Sequence, residues 1–320
     1  MPSVFRRCLM SSGLAAALCA GPGTGLLAQS APAAPAPGQP PAFHVTKVGH
    51  GRPMILIPGL LSSGDVWQDT VELFKTRYEC HVLTLAGFAG QPPAALAGRP
   101  FLETVGRDLV RYIVAEGLDR PIVVGHSLGG FVAFAVAATH PDAVGPIIAV
   151  DGVPFLPALM DPAADAKRTA VQAAQLRDFY ATLTPAQLVV QSRMSLSSMM
   201  KAPSAVERAA AWSETSDAKT AGLAVYEMMT TDLRPAVAAI RTPVLLIGAA
   251  EFAKDAETLA RVRAAYEQQV AAVPSHRVVL ADDSRHFVMW DAPDFLWRTM
   301  DAFLAASDVD PVATAPRQGR

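Results

Sequence analysis

The chain reads as an α/β protein: a mostly parallel, doubly wound sheet with a helical cap inserted into it. Three observations predict this. From about residue 43 onward, short continuous apolar runs alternate with helical patterns, as strands buried on both faces and joined by crossover helices require. The alternation breaks between Asp151 and about Pro243, where helical patterns continue without a good strand. Finally, Val123-Val124-Gly125-His126-Ser127-Leu128-Gly129-Gly130 sets a G-x-S-x-G pattern between a strand-like and a helix-like run. A serine on such a tight turn has its hydroxyl pushed clear of the sheet.

The elements follow in order. His44–Val48 has the form of an edge strand, and Met54–Ile57 and Cys80–Leu85 are apolar runs of buried-strand length. Leu102 to Leu118 has helical spacing, with Val105, Leu109, Tyr112 and Ile113 on one face. Ile122–Val124 is a buried strand, and Phe131–Ala137 a buried helix. Pro146–Val150, Pro243–Ile247 and Arg277–Leu280 are further strands, and a last helix is expected over Pro293 to Ala305. Leu188-Val189-Val190, flanked by helix formers, belongs to the cap, which is expected over about 153–238.

The first residues have another character. Arg6-Arg7 precede a short apolar region that ends at Leu26-Leu27-Ala28, the pattern of an export signal over 1–28. The run is too short and too interrupted to span a bilayer, so no membrane span is expected in the mature chain. Residues 29–42 are nearly all Ala, Pro, Gly and Gln, a linker composition. The body is expected over 43–306 and a flexible tail over 307–320. These features predict a periplasmic or secreted protein. Of the 3 cysteines, only Cys80 lies beyond the signal, so no internal disulfide can form.

With 51% hydrophobic residues and 18% charged, the 320-residue chain can bury a sizeable core. Its net charge of −2, with no basic stripe, gives no support for nucleic-acid binding. No cluster has metal-ligand spacing and no phosphate-binding glycine loop appears, so neither a metal nor a cofactor is expected.

Three stretches can carry chemistry. One is the turn at Ser127. The second is Pro58-Gly59-Leu60 to Trp67, a glycine-containing loop after a buried strand that could present a backbone N–H to an oxyanion. The third is Asp282 to Pro293, which places His286 between the last strand and the last helix. His126 sits beside Ser127 and is expected to pack or to hydrogen-bond locally.

These stretches, together with Leu85-Ala86-Gly87-Phe88-Ala89-Gly90, resemble the α/β-hydrolase family over roughly residues 44–306. Two positions depart from its usual pattern: Pro58 stands where a histidine is usual, and Ala86 where an aspartate is. The resemblance implies Ser127 as nucleophile, His286 as base, and the N–H groups of Leu60 and Leu128 as oxyanion donors. A base must take the serine proton, and a histidine can accept and return it. The triad acid stays open between Asp151, the first polar residue after a buried run, and Glu251, which follows the strand after the cap. Asp151 is favoured. Asp282 and Asp283 are expected to be solvated. Trp67, Phe88, Phe155, Leu156, Met199, Met200, Met228, Met229 and Trp290 are candidates for an apolar pocket or for plain core.

The implied activity is hydrolysis of small or apolar carboxylic esters through an acyl-enzyme. Thioester, lactone or small-peptide hydrolysis, acyl transfer, and non-catalytic ligand binding are the alternatives. A haloalkane dehalogenase is disfavoured, because it needs a carboxylate at position 127.

Overall fold

The computed structural model describes residues 41–309, apart from Ala97. The expected signal, nearly all of the linker and most of the tail lie outside the described residues. Seven strands form one sheet: β1 (Phe43–Gly49), β2 (Arg52–Ile57), β3 (Tyr78–Leu85), β4 (Ile122–His126), β5 (Ile147–Val150), β6 (Val244–Ala249) and β7 (His276–Ala281). Their order across the sheet is β1-β3-β2-β4-β5-β6-β7. Only β1, at the edge, runs antiparallel to its neighbour.

Successive side chains on a strand point to opposite faces, and both faces here are covered. Ile55, Ile57, Val123, Ala149 and Leu246 pack on one side with α2 (Phe101–Ala115) and α3 (Leu128–Thr139). Met54, Leu56, Val124, Ile148 and Ile247 pack on the other with α1 (Gln68–Phe74) and the last helix. This is why β2, β4, β5 and β6 read as unbroken apolar runs. Helix α3 is buried over ten of its positions, from Leu128 to Ala138, and carries no charged residue.

Between β5 and β6 the chain leaves the sheet and builds α4 (Ala166–Thr182), α5 (Pro185–Met199), α6 (Pro203–Trp212) and α7 (Ala218–Thr230). Leu188-Val189-Val190 is helical, inside α5. Helix α4 buries only Ala173 and packs against α7. Glu227 of α7 fastens the cap to the body. Its two carboxylate oxygens accept the N–H groups of Phe101 (2.6 Å) and Leu102 (2.7 Å) at the start of α2, where helical N–H groups lack partners of their own.

After β6 come α8 (Ala256–Val270), β7, the single turn α9 (Val288–Asp291) and α10 (Pro293–Val309). Helix α8 has no counterpart in the sequence reading. Of its fifteen residues it buries only Tyr266, Gln269 and Val270, which leaves too narrow an apolar stripe to show as a periodicity. Its first turn is capped by Asp255, whose carboxylate accepts from Thr258 N–H at 2.7 Å.

Several boundaries differ from those expected, three of them for a visible reason. Helix α2 stops at Ala115 because Gly117 turns left-handed, at φ +64°. Helix α10 runs through position 307, where the Ser307 hydroxyl donates to Phe303 O at 2.8 Å. Ala42, counted with the linker, is buried and donates its N–H to Asp108.

Candidate active site

Adjacent parallel strands end in register here. His126 of β4 lies opposite Val150 of β5, Val150 opposite Ile247 of β6, and Ala249 opposite Ala281 of β7. The residues that follow these strands therefore gather along one edge of the sheet, where open α/β sheets carry their sites. Ser127, Asp151, Glu251 and His286 all belong to it.

Ser127 has φ +53° and ψ −117°, a backbone conformation that costs a non-glycine residue on the order of 1–3 kcal/mol. The surrounding chain enforces it. Ser127 N–H donates to Val150 O at 3.0 Å, and Ser127 O accepts from Gly130 N–H at 2.9 Å. The turn is too tight for side chains: a Cβ on Gly125 would lie 2.2 Å from Gly129 O, and one on Gly129 would lie 2.3 Å from Ile57 O. The second of these contacts brings the Pro58-Gly59-Leu60 loop against the start of α3. Leu128 is the first residue of α3, so its N–H has no preceding helical turn to accept it.

Asp151 and His286 meet directly. His286 Nδ1 lies 2.6 Å from Asp151 Oδ2. The other oxygen, Oδ1, accepts Ala249 N–H at 2.9 Å and the hydroxyl of Tyr266. Burial alone would push the Asp151 carboxyl up. The bonds and charge of His286, with those from Tyr266 and Ala249, outweigh burial and hold it below the usual aspartate value. Asp151 also sits at φ +48°, its N–H bonded to Ile247 O at 2.7 Å.

Glu251 does not reach the histidine. It pairs with Lys254 at 2.9 Å and lies 3.6 Å from Arg285, while its N–H donates to Ser284 O. Asp283 is exposed and paired with Lys201, and Asp282 is exposed too.

His126 is fully buried and turned away from the cavity. Its ring packs 4.6 Å from those of His286 and Phe287. Nε2 lies 3.1 Å from the backbone oxygen of His286; a carbonyl only accepts, so Nε2 holds the proton. Burial, reinforced by His286, pushes His126 down to about 3, so it stays neutral behind its neighbour.

Ser127, Asp151 and His286 open on one cavity of about 100 Å³, lined otherwise by Phe131, Val153, Leu156, Leu159 and Met228. Leu156 and Met228, both singled out as pocket candidates, line it. Trp67, Phe88 and Phe155 do not: all three are fully buried core. Met200 is core as well, and Trp290 packs on Trp212 and beneath Arg208. Met199 lines a neighbouring cavity behind Asp151 and His286, together with Glu251, Phe252 and Arg285.

The loop that carries His286 is tied to the end of α5. Arg285 donates to Met200 O at 2.9 Å and Ser197 O at 3.3 Å, Phe287 N–H to Met199 O at 3.4 Å, and Lys201 N–H to Asp291 at 3.0 Å. Among the described residues no helix is long and apolar enough to cross a membrane, and no group of His, Cys, Asp and Glu could hold a metal ion.

A parallel sheet whose first crossover strands lead to a strained serine, with an Asp–His pair at the same edge and helices inserted above, defines the α/β-hydrolase class. The model of the alpha/beta hydrolase family matches residues 54–299, and the chain belongs to that family. Among curated relatives, the pimeloyl-[acyl-carrier protein] methyl ester esterase of Vibrio atlanticus (strain LGP32) is 33% identical over 120 residues, 38% of this chain and 43% of that protein. That of Vibrio vulnificus (strain YJ016) is 28% identical over 163 residues, 51% of this chain and 59% of that protein. The aligned part thus spans less than two thirds of each of these relatives. The enol-lactonase from Burkholderia xenovorans LB400 superposes with a TM-score of 0.65 at 16% identity, covering 82% of this chain and 96% of its own. A thermophilic esterase from Thermogutta terrifontis gives 0.66 at 17%, over 83% and 93%. At these identities the structures speak for the fold.

Proposed function

We propose that this chain is a serine hydrolase of carboxylic esters, with Ser127 as nucleophile, His286 as base and Asp151 as the acid of the triad. One observation carries the reading: the Asp151–His286 bond stands at the same sheet edge as the strained Ser127, and all three open on one apolar cavity. Ser127 Oγ attacks the ester carbonyl carbon while His286 Nε2 takes its proton. The tetrahedral oxyanion is met by the N–H groups of Leu128 and Leu60, the former reinforced by the start of α3. His286 returns the proton to the departing alcohol, leaving an acyl group on Ser127. Water then repeats the sequence and frees the acid. Asp151 keeps the Nδ1–H tautomer and balances the imidazolium charge, remaining ionised throughout.

The cavity's lining carries no lysine or arginine, which suits a neutral, apolar acyl group of modest length. The esterase names of its partial relatives point the same way. The amino-terminal pattern adds an exported enzyme, periplasmic or secreted, to the proposal. The test is covalent. A fluorophosphonate should label the protein at Ser127 and not the Ser127→Ala variant, and p-nitrophenyl esters of rising chain length should give an early optimum. No labelling of the wild type, or ester turnover that survives Ser127→Ala, would refute the reading.

A further inference from the structure

We propose that Tyr266 is a positioning residue of the site: its hydroxyl, with the Ala249 N–H, locks one oxygen of Asp151 so that the other is presented to His286. This rests on the reading of Ser127, His286 and Asp151 just given.

The geometry is specific. Tyr266 comes from α8, a helix that buries only three of its residues, yet it is itself 6% exposed. It reaches Asp151 by crossing the end of β6 over Gly248. A Cβ there would stand 2.6 Å from the tyrosine ring, so the glycine leaves the space the ring occupies. The hydroxyl then donates to Oδ1 of a carboxylate already bonded through Oδ2 to His286.

Two consequences follow. The carboxylate cannot rotate about its Cβ–Cγ bond without giving up both donors on Oδ1. Its negative charge is also shared between a phenol and an imidazole, so less of it falls on His286. The groups facing Asp151 from every packed element are Tyr266 of α8, Ala249 N–H of β6, His286 of the loop after β7, and neutral His126 of β4. Glu251 and Arg285 line the cavity behind it and compensate one another. Burial and the adjacent carboxylate hold the Tyr266 hydroxyl well above the usual phenol value, so it remains a donor across the working pH range.

The test needs no identified substrate. The second-order rate of fluorophosphonate labelling at Ser127 is followed against pH for the wild type and Tyr266→Phe, with melting temperatures as the control for folding. Tyr266→Phe keeps the ring over Gly248 and removes only the donor. More of the Asp151 charge then falls on His286, which favours the imidazolium. The acid limb of the profile should move to higher pH, and the plateau should fall by about tenfold, the worth of one hydrogen bond to a charged group. 3-Fluorotyrosine in place of Tyr266 preserves the packing and donates more strongly, so it should move the limb to lower pH. That arm keeps the test decisive even where Tyr266→Phe does not fold. Limbs that stay at the wild-type position overturn the proposal, whatever happens to the plateau. Failure of the wild type to label overturns the esterase reading instead.

Discussion

Replacing Asp151 by asparagine alters one atom, and the bonds around the carboxylate fix where that atom goes. Oδ1 receives two donors, Ala249 N–H and the Tyr266 hydroxyl, while Oδ2 faces His286 Nδ1 alone. The amide oxygen of asparagine therefore takes the Oδ1 place, and its NH₂ turns to His286. An NH₂ can only donate there, so Nδ1 becomes the acceptor and the proton moves to Nε2. That is the wrong tautomer for taking a proton from Ser127. In serine–histidine–aspartate sites this exchange costs roughly 10⁴ in kcat, about 5.5 kcal/mol of transition-state stabilisation. Glu251→Gln should leave kcat within about twofold, since it gives up only its partly exposed pairs with Lys254 and Arg285. The assay is steady-state hydrolysis of p-nitrophenyl butyrate, normalised to folded protein by circular dichroism. An Asp151→Asn enzyme that keeps more than a tenth of the wild-type kcat, or a Glu251→Gln enzyme that loses more than it does, would refute the reasoning.

Three further outcomes are expected. Gly129→Ala drives a Cβ to 2.3 Å from Ile57 O and 2.8 Å from Pro58 O, backbone atoms that cannot swing aside, and should cost about 3 kcal/mol in urea unfolding. Glu227→Gln replaces two acceptor oxygens with one and leaves an N–H at the start of α2 unmet, for about 1–3 kcal/mol; a melting point equal to the wild type's would contradict this. Asp151 also predicts a pH dependence. Its folded-state value is depressed, so it contributes stability that is present above the unfolded value, about 3.9, and is lost as pH falls through the folded one. Urea midpoints of wild type and Asp151→Asn should therefore converge as pH drops below about 4, and a gap of constant size would sink the assignment.

Ser127 and His286 are legible in the chain because each lies in a local pattern of strand, turn and helix. The acid is not. Asp151 and Glu251 each follow a buried strand and each precede a turn, and local sequence does not say which of two adjacent strand ends faces the last loop. The pairing of β5 with β6, and of β6 with β7, sets Asp151 against His286, while Glu251 pairs with Lys254 and Arg285 instead. Tyr266 left even less trace. It stands 115 positions from its partner, on a helix whose exposed face hides the usual periodicity. The space left by Gly248 was the only local hint, and a lone glycine at a strand end has many meanings.

The tie between the His286 loop and the end of α5 joins two segments in their local unfolding. Phe287 N–H is bonded to Met199 O, and Arg285 spans Ser197 and Met200. The Phe287 amide can exchange with solvent only when its bond to Met199 O opens, whether α5 or the loop moves. Local opening of the cap's edge and of the histidine's loop is thus coupled through these bonds, while the Asp151 bond holds His286 from the other side.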